Sequence, residues 1–151
     1  MNYLGYRPAP ASWTLTVARH LKHLAPNTLV MDGSFARTST VSDCYPQAVL
    51  ESKDIDMFSF HYYGSGDIAR VKTDCAFVKK YGKAFIAGEV GFFDDASEYS
   101  TFLSSLAKAG GAGSLIWSLR PHSSTGGFKT HSEGNGHFSY RQSSFFFLES
   151  R

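Results

Sequence analysis

Ala84-Phe85-Ile86-Ala87-Gly88-Glu89-Val90-Gly91 is apolar along most of its length and ends on one carboxylate held between two glycines. A strand with one face in water alternates apolar and polar residues, whereas a run that is apolar at every position is covered on both faces, as in a parallel sheet. Three similar runs flank this one: Thr28 to Met31 and Ile55 to Phe60 before it, and Gly113 to Trp117 after it. Their starts at 28, 55, 84 and 113 are 27, 29 and 29 residues apart, the length of one strand-loop-helix-loop unit.

Helical patterns fill the intervals. Ser12 is placed to cap a helix through Leu24, with Trp13, Val17, Leu21 and Leu24 on one inward face and Pro26 at its end. Asp67 is placed to cap a second, running to about Tyr81, with Ile68, Val71, Cys75 and Val78 inward and Gly82 as its stop. Asp95 and Glu98 form a start resembling a capping box for Tyr99, Phe102, Leu103 and Leu106, which Gly110 and Gly111 terminate. A shorter helix is expected around Pro46 to Glu51. Apolar strands alternating with amphipathic helices require an α/β fold with a parallel sheet under helices. Two architectures satisfy this: an open doubly wound sheet, or part of a (β/α)₈ barrel. A barrel needs eight units and about 250 residues; four units are visible, so a barrel reading makes this chain one half.

Composition narrows the partners. The 151 residues are 42% hydrophobic and 19% charged, the balance of an ordinary globular domain. Net charge is +2 with the basic residues scattered, which disfavours nucleic acid and anionic membrane as partners. No run reaches the length of a membrane span, and Met-Asn-Tyr-Leu-Gly at the start does not read as a signal peptide. Cys44 and Cys75 are the two cysteines, and either a disulfide or two buried thiols fits them. Residues 1–10 read as a loop remnant, and 143–151, with Phe145, Phe146, Phe147 and Leu148 in one block, as an atypical tail. The expectation is a single partial domain over 1–151, truncated ahead of its first helix.

In parallel α/β folds, function gathers where strands end. Those ends supply Asp32; His61, Tyr62 and Tyr63; Glu89; and Trp117 followed by Arg120 and His122. A carboxylate closing an apolar strand is costly to bury without a partner, and the flanking glycines read as room for a ligand. His61 and Tyr63, two apart, point to the same side, where a tyrosine hydroxyl from the adjacent strand can hold Glu89 ionised. Taken singly, His61 as a satisfied core histidine and Tyr63 as a filling aromatic are the commoner fates. Trp117 is either core filler or a platform for a sugar ring. The loop through Gly126, Gly127, His131, Gly134, Gly136 and His137 is too polar for core and reads as a binding loop. Tyr62, Arg120, His122 and His131 join Trp117 as candidate substrate contacts. The pairs His20/His23 and His131/His137 lack a third ligand at metal-site spacing, so no metal is expected. Gly64-Ser65-Gly66 is followed by Asp67 and no Walker lysine, which argues against a phosphate cradle, and no Gly-x-Ser-x-Gly elbow occurs. No cofactor is expected.

Ser59-Phe60-His61-Tyr62-Tyr63, Ala84 to Gly91 and Ser114-Leu115-Ile116-Trp117-Ser118 resemble the sixth, seventh and eighth strands of glycoside hydrolase family 5 barrels, especially the fungal endo-β-mannanase-like members. Ala25 to Gly33 resembles the fifth, and the resemblance runs from about Pro10 to Arg141. It implies a partial TIM barrel, roughly strands five to eight with their helices. Glu89 becomes the nucleophile of a retaining glycosidase acting on a β-1,4-linked, mannan-like polysaccharide, His61 and Tyr63 its orienting neighbours, and Trp117 a sugar platform. The family is secreted, so an extracellular parent is implied.

One departure bears on activity. The family's acid is the glutamate of an Asn-Glu pair ending the fourth strand, and Asn2-Tyr3-Leu4-Gly5 places Tyr3 there. Retaining hydrolysis divides its work between two carboxyls, so the expectation is a weakly active or inactive chain whose uncovered sheet surface favours self-association. The alternatives are a catalytically dead carbohydrate-binding remnant and an unrelated doubly wound α/β domain.

Overall fold

The computed structural model describes residues 9–33, 45–91, 93 and 95–116, with the backbone of 119–120 and 129–130. In chain order these form α1 (Ala11–Leu24), β1 (Met31–Asp32), α2 (Gln47–Leu50), β2 (Met57–Tyr63), a 3₁₀ turn (Ser65–Asp67), α3 (Arg70–Lys79), β3 (Ala84–Gly91), α4 (Ala96–Lys108) and β4 (Gly113–Ile116). A separate antiparallel pair joins β5 (Leu119–Arg120) to β6 (Lys129–Thr130).

Strands β1 to β4 form one sheet in the order β1-β2-β3-β4, and every pairing is parallel. A doubly wound sheet reverses its strand order at a switch point. Here each strand adds beside its predecessor without reversal, which is the winding of a barrel wall. The fold is α/β, part of a (β/α)₈ barrel.

Local chemistry sets the element ends. The Asp95 carboxylate accepts from the backbone N–H of Ser97 and Glu98, starting α4 as the capping pattern predicts. Gly110, at φ +79°, ends it, and the N–H of Gly111 donates to the Leu106 carbonyl, closing the last turn. Gly82, at φ +69°, plays the same part after α3. Two starts differ from expectation. α1 begins at Ala11 behind Pro10, so Ser12 lies inside the helix. Asp67 belongs to the 3₁₀ turn, and its carboxylate is taken by Tyr63 and Arg70. The first strand is also shorter than read: only Met31 and Asp32 pair, opposite Met57 and Phe58.

The core lies between the sheet and the helices α2 to α4. Phe58, Phe60 and Tyr62 of β2 and Phe85, Ala87 and Val90 of β3 are buried against Val71, Cys75 and Val78 of α3 and Tyr99, Phe102 and Leu106 of α4. The inward faces read for α3 and α4 are the ones observed. The face read for α1 is not. Trp13 is 61% exposed and Leu24 66%, with Val17 and Leu21 also exposed, while Ala18 is the buried residue of the helix. α1 is held by Ala18 and by Lys22, whose ammonium lies 2.6 Å from the Asp56 carboxylate and donates to the Thr28 carbonyl. Cys75 is a free buried thiol beside the Ala109 carbonyl, and burial pushes its pKa up. Cys44 lies outside the described residues, as do 1–8 and the tail 143–151.

Candidate active site

Alternation along β3 runs against the sequence reading of Glu89. Phe85 and Ala87 face the helices, so an uninterrupted strand would send Glu89 the same way, into the core. The strand carries one extra residue instead. Phe60 pairs with Ala87 but His61 pairs with Glu89, so Gly88 has no counterpart on β2. On the other side, Ala87 and Val90 pair with Ser114 and Ile116, which again leaves one residue too many on β3. This β-bulge returns Val90 to the core and turns Glu89 to the face opposite the helices.

The glycine at the bulge is required by space. A Cβ on Gly88 would stand 2.9 Å from Ser59 Oγ, 3.0 Å from Ser59 Cβ and 3.5 Å from the His61 ring. Its room is therefore filled by Ser59 and His61, a correction to reading it as room for a ligand.

Glu89 meets two partners from β2. The Tyr63 hydroxyl donates to Glu89 Oε2, and His61 Nδ1 lies 3.1 Å from the same oxygen. Neither contact uses Oε1. The side chains of His61 and Glu89 are 13% and 25% exposed, so the pair is shielded yet reachable. Burial lowers the His61 pKa, the Glu89 carboxylate opposing it, which favours a neutral ring beside the carboxylate. Burial and the bond to Glu89 raise the Tyr63 phenol well above its ordinary range, so it stays a donor. The Tyr63 bond and the nearby His61 ring together fix the direction of the Glu89 carboxylate.

Tyr62 does not belong here. It is fully buried on the helix side, its hydroxyl donating to Asp74 Oδ2 at 2.8 Å and its ring packed on Phe102 at 5.2 Å. The parity that brings His61 and Tyr63 to Glu89 sends Tyr62 away, so its assignment as a substrate contact is corrected. Trp117, His122 and His131, the side chain of Arg120, and Tyr3 lie outside the described residues.

Two features escaped the sequence reading: the bulge at Gly88, which has no signal in β3 alone, and a set of charges beneath His61–Tyr63. The latter was legible as Asp67, Arg70 and Asp74 at helical i, i+3 and i+7 spacing. Among the described residues no cluster of three His, Cys, Asp or Glu side chains has the arrangement of a metal site, and no helix is long and apolar enough to cross a membrane.

The described sheet is similar to the barrel wall of endo-1,4-β-mannanases. The endo-1,4-β-mannanase from Rhizomucor miehei superposes with a TM-score of 0.59 at 21% identity, over 78% of this chain and 40% of that one. The hyperthermostable endo-1,4-β-D-mannanase from Thermotoga petrophila RKU-1 gives 0.58 at 19% identity, over 76% of this chain and 42% of that one. This chain thus spans about two fifths of those proteins' length, and at such identities the likeness is one of fold. No protein-family model and no curated protein matches the sequence.

Proposed function

We propose that this rim is the nucleophile half of a retaining β-glycosidase site, with Glu89 as nucleophile and a β-1,4-linked mannan-like glycan as substrate, in a chain of weak or absent activity on the polymer. The observation that carries the reading is the convergence of the Tyr63 hydroxyl and His61 Nδ1 on one oxygen of Glu89, at the C-terminal end of parallel barrel strands. Both contacts fall on Oε2 and leave Oε1 to attack an anomeric carbon. As the C–O bond to the leaving group breaks, that group departs as an oxyanion unless an acid protonates it; water then cleaves the glycosyl ester, releasing Glu89. General acid-base help at these steps is worth about 10²–10⁴-fold, and Tyr3 at the expected acid position supports slow turnover. An extracellular parent protein belongs to the same proposal, as do sugar contacts through Trp117, Arg120, His122 and His131.

The test is covalent labelling with an aryl mannoside whose leaving group needs no protonation. Mass spectrometry of the purified chain should find a slowly formed mannosyl ester on Glu89, absent in Glu89→Gln, with no release of sugar from mannan. Labelling that survives Glu89→Gln would remove Glu89 from the role. Efficient mannan hydrolysis would require an acid that this reading lacks. Sugar binding without any labelling would favour a carbohydrate-binding remnant.

A further inference from the structure

We infer that Asp67, Arg70 and Asp74 form an ionic clamp whose task is to position His61 and Tyr63 against Glu89. Three consecutive residues at the end of β2 are gripped by it, each through a different group. The Tyr63 backbone N–H donates to Asp67 Oδ2 at 2.8 Å, the Tyr62 hydroxyl donates to Asp74 Oδ2 at 2.8 Å, and Arg70 Nη2 reaches the His61 carbonyl at 3.5 Å. Arg70 joins the two carboxylates, with Nη2 3.2 Å from Asp67 Oδ1 and Nε 3.6 Å from Asp74 Oδ2. Its guanidinium also lies over the Phe60 ring at 4.6 Å and the Tyr62 ring at 5.4 Å.

Exposed i, i+3 and i, i+4 pairs along a helix are ordinary surface features of small effect. This set differs in where it acts. Asp74 is 3% exposed, so its charge needs partners, and those partners are the strand end and Arg70. Register between β2 and β3 shifts between Phe60 and His61, and among the described residues β1 pairs with Met57 and Phe58. The strand end that carries His61 and Tyr63 therefore follows a break in the ladder to β3. A planar fork that stacks and bonds in two directions suits such a task better than a point charge. Among the described residues, the charged and titratable groups against His61 include Glu89, Tyr63 and, at its carbonyl, Arg70. The geometric part of this inference stands on the contacts alone; its catalytic consequence rests on the proposed role of Glu89.

The experiment compares the full chain with Arg70→Met, which keeps the stem and removes the fork, and Asp67→Asn, which keeps an acceptor for Tyr63 but breaks the ion pair. The first readout is nitrogen NMR of the neutral His61 ring, with His20 and His23 as internal references. In the parent chain the proton should sit on Nδ1, facing Glu89. In both variants, still folded by a cooperative melt, the Nδ1–H form should lose at least half its population. In Arg70→Met, removing a positive charge alone would strengthen the attraction between imidazole and carboxylate, so a weakened pairing there reports geometry. The second readout is labelling by the aryl mannoside, where the rate at saturation should fall about 10- to 100-fold with the half-saturating concentration unchanged. Arg70→Lys should recover only part of either effect. An unchanged His61 tautomer in folded Asp67→Asn would overturn the clamp. Should Arg70→Met not fold, Arg70→Gln, which removes the same charge, takes its place beside Asp67→Asn. Failure of labelling in the parent chain would count against the proposed function and leave the NMR test of the clamp intact.

Discussion

Glu89 reaches the open face of the sheet because Gly88 adds a residue to β3, and that glycine is enclosed by Ser59 and the His61 ring. Gly88→Ala therefore forces a Cβ into Ser59 and should cost about 1–3 kcal/mol, the usual range for overpacking. In a double-mutant cycle by urea unfolding, Ser59→Gly should restore most of the loss; two simply additive costs would place the strain elsewhere. Titration of His61 gives a second expectation. Its pKa in the folded chain is lowered by burial, so between that value and the unfolded one near 6.5 the unfolded state binds more protons. Stability should then fall as pH drops through about 6.5, and His61→Gln should flatten this limb. Asp56 acts in a separate window. The hydrogen bond from Lys22 and that from the Val30 N–H hold its carboxyl below the ordinary value, so its contribution persists above about 3.9 and is lost only as pH falls lower still. A urea midpoint of the parent chain that stays flat from pH 7 to 5 would contradict the histidine assignment.

At the level of elements, α4 and α1 have similar patterns and different fates. Both are amphipathic by their spacing, yet Phe102 of α4 is fully buried against Tyr62 and Phe93, while Leu21 of α1 is exposed. Phe102→Ala should destabilise by about 3–5 kcal/mol, since a large side chain leaves a cavity its neighbours only partly fill. Leu21→Lys should change stability by no more than about 0.5 kcal/mol, the range for surface substitutions. Chemical denaturation of the two variants side by side checks the contrast, and a large loss for Leu21→Lys would mean that α1 packs against more than the described core.

At the scale of the whole molecule, the described residues pack a core between the sheet and α2 to α4, and they leave an apolar groove lined by Trp13, Val17, Leu21, Val30, Met31 and Ile55 between α1 and β1. Neither Glu89 nor its partners line it. Grouped apolar side chains in water bind apolar dyes and promote self-association. The chain should therefore enhance the fluorescence of an apolar dye at native pH and sediment with a concentration-dependent mass. Changing Leu21 and Leu24 together to Lys should reduce both without loss of the folded signal. Equal dye binding in that variant would locate the exposed surface elsewhere.

How much of this was legible in the chain follows the range of each interaction. The strand and helix periods, the inward faces of α3 and α4, the Asp95 cap and the Gly82 and Gly110 stops depend on neighbours within a few residues, so the sequence by itself determined them. It also determined that His61 and Tyr63 share a side of β2, because side chains alternate with a period of two. The tertiary structure decided what depends on other strands and helices. The face taken by Glu89 follows from a residue that is extra only when β3 is counted against β2 and β4. The exclusion of Tyr62 from the site, the use of Asp67 to hold Tyr63 instead of capping a helix, and the exposure of the apolar side of α1 are set by which surfaces meet. Periodicity says that a helix has an apolar face; burial requires something to cover it, and for α1 among the described residues that cover buries Ala18 and, in part, Ala11 and Leu15.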